Sequence, residues 1–294
     1  MRNYLSNHKS KISTVLVCLF LTITSCEYKE IADAPFPPET VYLTTAAIVK
    51  KGADRNGLFA GAIYRFNFVD AISPSPRFNI DLTAGRFNIL SGVQRGGVTS
   101  KGAVNINVVL NTDTITTLKS AGVLPSTTEI LPLDKVLIPA TLQMEDGSNS
   151  ALFNIGLDMA FLRSNPNKSY AIGVTISSTD RTVTNDLRSV VILINTNILV
   201  PTADFTSTLN ATTKTVSLVN RSLNWVNYTW DFGDNSPLVT AEVSSINNNN
   251  RVLPAITKTY AAAGTYNITL TAVGLPFAVG QINQSVKTIS VIVP

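Results

Sequence analysis

Tyr228-Thr229-Trp230-Asp231-Phe232-Gly233-Asp234 decides how this 294-residue chain is read. A strand sends successive side chains to opposite faces, so Tyr228, Trp230 and Phe232 share one face, and Thr229 and Asp231 take the other. Three aromatic rings on one face need a second layer to cover them. Gly233 tolerates the positive φ of a tight turn, and the Asp234 carboxylate can accept hydrogen bonds from turn amides. The stretch therefore reads as an inner strand of a two-layer β-structure, ending in a turn.

Similar signals surround it. Residues 201–205 and 215–220 alternate as strands before it, and residues 286–293 form a last strand. Thr259-Tyr260 precedes Ala263-Gly264-Thr265-Tyr266, where Gly264 reads as the turn before a core strand carrying Tyr266, Ile268 and Leu270. The Trp-Asp-Phe-Gly-Asp element together with the Gly-Thr-Tyr strand closely resembles the polycystic-kidney-disease (PKD) domain over residues 201–294. That resemblance implies an extracellular β-sandwich used as a spacer or binding module. It gives Trp230, Asp231, Phe232, Gly233, Asp234, Gly264 and Tyr266 structural roles. Two carboxylates in one turn fall short of the six to eight oxygens calcium takes, so no metal is expected. Trp225, five residues before Trp230, and Phe277, in the apolar turn Gly274-Leu275-Pro276-Phe277, are the candidate ligand contacts, with a buried rim position for the first and ordinary packing for the second as the alternative readings. The polar loop of residues 236–256, with Asn247-Asn248-Asn249-Asn250 at its centre, is longer than the resemblance leads one to expect and reads as disordered.

Strand signals also recur from residue 41 to residue 195: at 41–43, 60–68, 78–82, 104–108, 136–144, 153–157, 170–176 and 189–195. Most are half apolar and half polar, as two sheets packed face to face require. One helix is expected over residues 112–120, capped by Asn111 and stopped by Gly122. Leu124-Pro125 through Leu131-Pro132, Val136-Leu137-Ile138-Pro139-Ala140, and the strands at 153–157 and 170–178 resemble the Bacteroidetes domain-of-unknown-function family 1735. The likeness covers residues 38–197 and implies an immunoglobulin-like sandwich often encoded near glycan-uptake systems. Residues 196–201 join the two domains, where Pro201 disfavours strand continuation. The expected fold is all-β: two tandem immunoglobulin-like β-sandwiches after a lipoprotein signal peptide.

The first 25 residues form that signal. Arg2, Lys9 and Lys11 precede an apolar run, residues 12–23, too short to span a bilayer, which takes roughly 20 apolar residues. Ile23-Thr24-Ser25-Cys26 resembles the bacterial lipobox. The resemblance implies cleavage before Cys26, lipid on its sulfur and acylation of the new amine. Each buried methylene contributes ~0.8 kcal/mol, so several acyl chains hold a protein where one binds reversibly. Residues 26–37, polar and then proline-rich, read as a tether. The acids just after Cys26 resemble the surface-export signal of Bacteroidetes lipoproteins, so the expected location is the outer membrane, at the cell surface.

Composition narrows the chemistry. Three of the 23 basic residues leave with the signal, so 20 remain against 19 acids and the formal charge of +4 falls to +1. No basic run appears, which argues against nucleic acid. The single histidine, His8, and one of the two cysteines, Cys18, also leave with the signal. Imidazole-based and thiol-based catalysis go with them, as do the usual zinc sites. A glycoside hydrolase needs two carboxylates held about 5–10 Å apart, and none of the acids sits in a recognisable active-site motif. The chain reads as a non-catalytic binding module without cofactors, held to the membrane by its lipid. Its expected partner is polysaccharide, by analogy with the first domain's family. Neighbouring outer-membrane proteins are the alternative, with the chain as spacer, adhesin or assembly partner.

Overall fold

The alternating stretches of the first domain pair into two six-stranded sheets. The computed structural model describes residues 38–47, 63–66, 78–242 and 255–294. The signal, Cys26, the tether and most of the 236–256 loop lie outside the described residues. One sheet contains β1 (Thr40–Leu43), β3 (Phe78–Asp81), β4 (Arg86–Gly96), β7 (Val136–Leu137), β9 (Ser150–Asp158) and β11 (Thr182–Val183). Its order is β11-β1-β4-β9-β7, and β3 also pairs with β4. The other contains β2 (Ile63–Phe66), β5 (Val104–Leu110), β6 (Glu129–Ile130), β8 (Thr141–Met144), β10 (Ser169–Ser177) and β12 (Ser189–Asn195). There the order is β2-β12-β10-β5-β8, with β6 beside β10. Leu43, Phe87, Ile89, Ile155 and Leu157 of the first sheet are buried against Ile106, Met144, Val174, Ile192 and Ile194 of the second.

Two departures from expectation have local causes. The stretch 136–144, read as one strand, is two. Pro139 has no amide hydrogen to give a ladder; β7 before it pairs with β9, and β8 after it pairs with β5, so the chain changes layers there. The long central strand β4 is not evident as an alternation, because Leu90 and Gly92 sit at outward positions where a polar residue is expected.

The expected helix, α1 (Thr112–Ser120), forms with the expected ends. Asn111 Oδ1 accepts from the amides of Asp113 at 3.0 Å and Thr114 at 3.2 Å. Gly122, at φ +70°, closes the C-terminus, with its amide on Lys119 O and the Val123 amide on Leu118 O. Ile115 and Leu118 pack with Ala171 and Val191 on the outer side of the second sheet. A second, short helix, α2 (Met159–Ser164), is capped by Asp158, whose carboxylate accepts from Phe161 N at 2.9 Å.

The second sandwich packs a three-stranded sheet on a four-stranded one. The first holds β13 (Phe205–Asn210), β14 (Thr215–Asn220) and β17 (Ile256–Thr259); the second holds β15 (Asn227–Asp231), β16 (Val239–Glu242), β18 (Gly264–Val273) and β19 (Gln284–Val293). Tyr228, Trp230 and Phe232 all face the core, as the alternation requires, and Trp230 is 0% exposed. Its ring meets Phe205 of the opposite sheet edge-on, with centroids 4.8 Å apart. Both domains are immunoglobulin-like β-sandwiches.

Glu39–Pro294 forms one compact unit. Asn283, buried, donates to Leu199 O and Leu275 O, both at 2.8 Å. Asn224 donates to Asn197 O at 2.7 Å and to Val200 O at 3.2 Å. Leu275 is counted in the core of the first sandwich, and Val226 and Phe277 pack against that core. At the other end of the unit, β1 is paired on both sides, antiparallel to β4 and parallel to β11. Just before it, Glu39 receives Arg181 Nε at 3.0 Å and a hydrogen bond from Thr99, with Arg95 at 3.9 Å.

Candidate functional site

The aromatic-turn motif of the second sandwich is a closed network. Asp231 Oδ1 accepts from Gly233 N at 2.9 Å. Asp234 Oδ1 accepts from Ser236 N and Oγ at 3.2 and 2.6 Å, and its Oδ2 pairs with Lys258 Nζ at 2.6 Å. Burial opposes the Asp234 charge, but the bonds from Lys258 and Ser236 and the Lys258 charge outweigh it and hold this carboxyl at about 2. Tyr260 donates its hydroxyl to Phe232 O at 2.8 Å; burial, then the Asp234 charge, push the phenol up to about 12. Gly233 is at φ +71°, and a Cβ there would lie 2.5 Å from Asn267 O. Gly264, expected in a turn, instead opens β18 opposite Val293. Tyr266 is half-buried rather than fully internal, stacked on Tyr260 with centroids 3.9 Å apart. The motif's two carboxylates are satisfied within the turn and by Lys258, while Trp230 Nε1 is left without a partner; a cation at Asp234 would first have to displace Lys258. Among the described residues no group of three or more acidic, histidine or cysteine side chains is placed to hold a metal.

The two residues read as candidate ligand contacts are committed within the fold. Trp225 is 7% exposed, meets Tyr228 edge-on at 5.0 Å, and donates its Nε1 to Ser222 O at 3.2 Å. Its indole offers no open platform because the chain after Asn224, at φ +55°, turns it inward. Phe277 lies under the Arg163 guanidinium, 3.6 Å from ring centroid to Cζ, and packs on the first sandwich's core. The apolar turn that carries it is an internal contact.

A site not anticipated lies on the outer face of the first sandwich. Three tripeptides of identical sequence, Phe78-Asn79-Ile80, Phe87-Asn88-Ile89 and Phe153-Asn154-Ile155, fall on β3, β4 and β9 of one sheet. Phe78, Phe87, Ile89, Phe153 and Ile155 are buried, so strand alternation turns the asparagines outward. Asn79 stands opposite Asn88 and donation from Asn88 Nδ2 reaches Asn79 Oδ1 at 3.1 Å. Opposite Asn88 on the other side is Gly156, and opposite Leu90 is Asn154. Gly156 has no side chain to stand between Asn88 and β7; a Cβ there would lie 3.0 Å from Asn88 Oδ1 and 3.6 Å from Leu137 Cβ. The result is an open cleft of about 380 Å³ over Gly156, lined by Asn88, Asn154, Asp81, Arg86, Leu137 and Pro139 among others. Leu137, at its rim, is 60% exposed. Arg86 stands in register between Asp81 on β3 and Asp158 on β9. The repeated Phe-Asn-Ile was the signal in the sequence that could have found this face.

Chemically the cleft offers carboxamides, which both donate and accept, beside an aliphatic wall. Among the described residues Asp81 is the carboxylate in its lining, and Asp158 stands two strands away across Arg86. Asp158 is already engaged by Phe161 N and, at 3.6 Å, by Lys135, and the Phe161 bond is the leading cause of its lowered pKa.

A comparison with curated proteins finds no match. Among solved structures, the PKD1 domain of the Vibrio cholerae metalloprotease PrtV is 26% identical, over 32% of this chain and 96% of that one, with a TM-score of 0.24. A candidate carbohydrate-binding protein from Bacteroides ovatus ATCC 8483 is 11% identical, over 86% and 70% of the two chains, with a TM-score of 0.34. A multidomain protein including DUF1735, also from Bacteroides ovatus, is 10% identical over 78% and 88%, with a TM-score of 0.33. Residues 202–288 match the PKD domain family, and the second sandwich of this chain is a PKD domain.

Proposed function

We propose that this chain is a membrane-anchored, surface-exposed lipoprotein that binds glycan without cleaving it. The observation that carries the reading is the outward cleft over Gly156, whose amides and aliphatic rim suit a polyhydroxylated ligand. Sugars present hydroxyl edges that pair with carboxamides and C–H faces that pack on aliphatic side chains. The PKD domain, whose motif is spent on its own packing, serves as the companion module. Lipid on Cys26 supplies the anchor, and the tether of residues 26–37 lifts the sandwiches from the bilayer.

The anchor is checked by fractionation. The wild-type chain pellets with membranes, and Cys26→Ser moves it to the soluble fraction; a Cys26→Ser protein still in the membrane pellet would count against lipid attachment. Protease added to intact cells digests the chain if it faces outward. Affinity electrophoresis of the full chain against a polysaccharide panel tests binding, with reducing-end assays on the same panel. Retardation without new reducing ends is the expected result. The rival role, spacer or assembly partner, predicts no retardation by any polysaccharide.

A further inference from the structure

Charge and contour in the same cleft identify the class of glycan, an inference that rests on the glycan-binding reading. Arg86 is the one cation among the described residues of the cleft lining; in register it stands between Asp81 and Asp158, and its Nη1 is buried without a hydrogen-bond partner. Lys135 is paired with Asp158 at 3.6 Å and with Asp134 at 3.4 Å. The charges of Asp81, Arg86, Lys135 and Asp158 cancel, and Arg86 Nη1 is itself buried, so an anionic sugar would meet no net positive field there.

The remaining chemistry is neutral. Asn88 gives one amide hydrogen to Asn79 and keeps its Oδ1 over Gly156. Asn154 stands on the neighbouring strand with its amide exposed. Leu137 forms one aliphatic rim, and Leu90, opposite Asn154, continues the apolar surface along the sheet. The floor depends on a glycine inside a strand, a position that commonly marks close approach of another group. We infer that the outer face of the first sandwich is a binding site for neutral glycan, which sits over Gly156, held by Asn88 and Asn154 and packed against Leu137.

The test is isothermal titration of the full chain, purified in a detergent without a sugar headgroup. The probes are neutral polysaccharides (a mannan, a xylan and a β-glucan) and anionic ones (polygalacturonate and chondroitin sulfate). Binding to at least one neutral polymer and to neither anionic one is expected, with little change between low and physiological salt. Gly156→Ala fills the floor at a strand position where alanine is tolerated, so it should weaken binding about tenfold while the melting temperature holds. Asn88→Ala and Asn154→Ala should each weaken it to a similar degree. Binding confined to the anionic polymers, or neutral binding that all three variants leave unchanged, would overturn this inference and leave the glycan-binding reading standing. If no polymer binds, that reading falls as well. A Gly156→Ala protein that melts early is replaced in the comparison by the two asparagine variants, which lie on the surface.

Discussion

Single side chains in the PKD turn carry more than their size suggests. Asp234 has a folded pKa of about 2, below its ordinary 3.8. A depressed carboxyl contributes stability that is complete above its unfolded pKa and lost as pH falls through the folded value. The window for Asp234 is therefore pH 4 down to 2, and at most about 2 kcal/mol is at stake. Urea unfolding of wild type and Asp234→Asn, compared between pH 6 and 2, should show a gap that closes as the pH falls. A gap of constant size would mean that the Lys258 pair contributes nothing. Tyr260→Phe removes the bond to Phe232 O in a buried place and should cost about 1 kcal/mol in the same measurement. Trp230 Nε1 has no hydrogen-bond partner. Replacing Trp230 by Phe therefore removes volume but no bond, and should cost less than the roughly 3–5 kcal/mol of truncation to Ala.

At the scale of elements, glycine marks where layers touch. Gly173, inside β10, accepts from Asn111 N through its carbonyl, and a Cβ there would lie 1.9 Å from Asn111 O. The atom is backbone, so no rotamer change relieves the clash. Gly173→Ala should force α1 off the sheet and lower stability by more than about 2 kcal/mol, read as a fall in the urea midpoint. Gly156→Ala, by contrast, meets a side-chain oxygen that can swing aside. The two glycines look alike in the sequence, since each interrupts an alternating strand, and only pairing separates them.

That contrast shows what was legible in advance and what was not. The Tyr228–Asp234 alternation, the Asn111 cap and the Gly122 stop each depend on neighbours a few residues away, and each is readable along the chain. The cleft depends on register between strands far apart in sequence, so its parts were visible only as three scattered Phe-Asn-Ile tripeptides. For Trp225 and Phe277 the sequence left contact and packing both open. Trp225 is packed by Ser222 and Tyr228 close by in the chain, whereas Phe277 is covered by Arg163, more than a hundred residues earlier, which no local pattern announces.

For the whole molecule, the junction between the sandwiches governs behaviour. Asn283 bridges Leu199 and Leu275, and the 274–277 turn reaches into the first domain's core. The wild-type chain should therefore melt in one calorimetric transition. Phe277→Ala combined with Asn283→Ala removes the aromatic contact and two buried hydrogen bonds, and should split the melt into two. A single transition in the double variant would show that the domains are coupled through other contacts.

The same body has a mechanical side. If the chain is anchored through Cys26 as proposed, load reaches the fold through the residues that precede Thr40. The strand that receives this load, β1, is paired along its length to β4 and at Thr40 and Val41 to β11, and Glu39 is pinned by Arg181 and Thr99 just ahead of it. Force along such a strand bears on both ladders together rather than opening them bond by bond. The first residues of the sandwich to meet that load, Thr40 and Val41, are thus stitched from two sides at once.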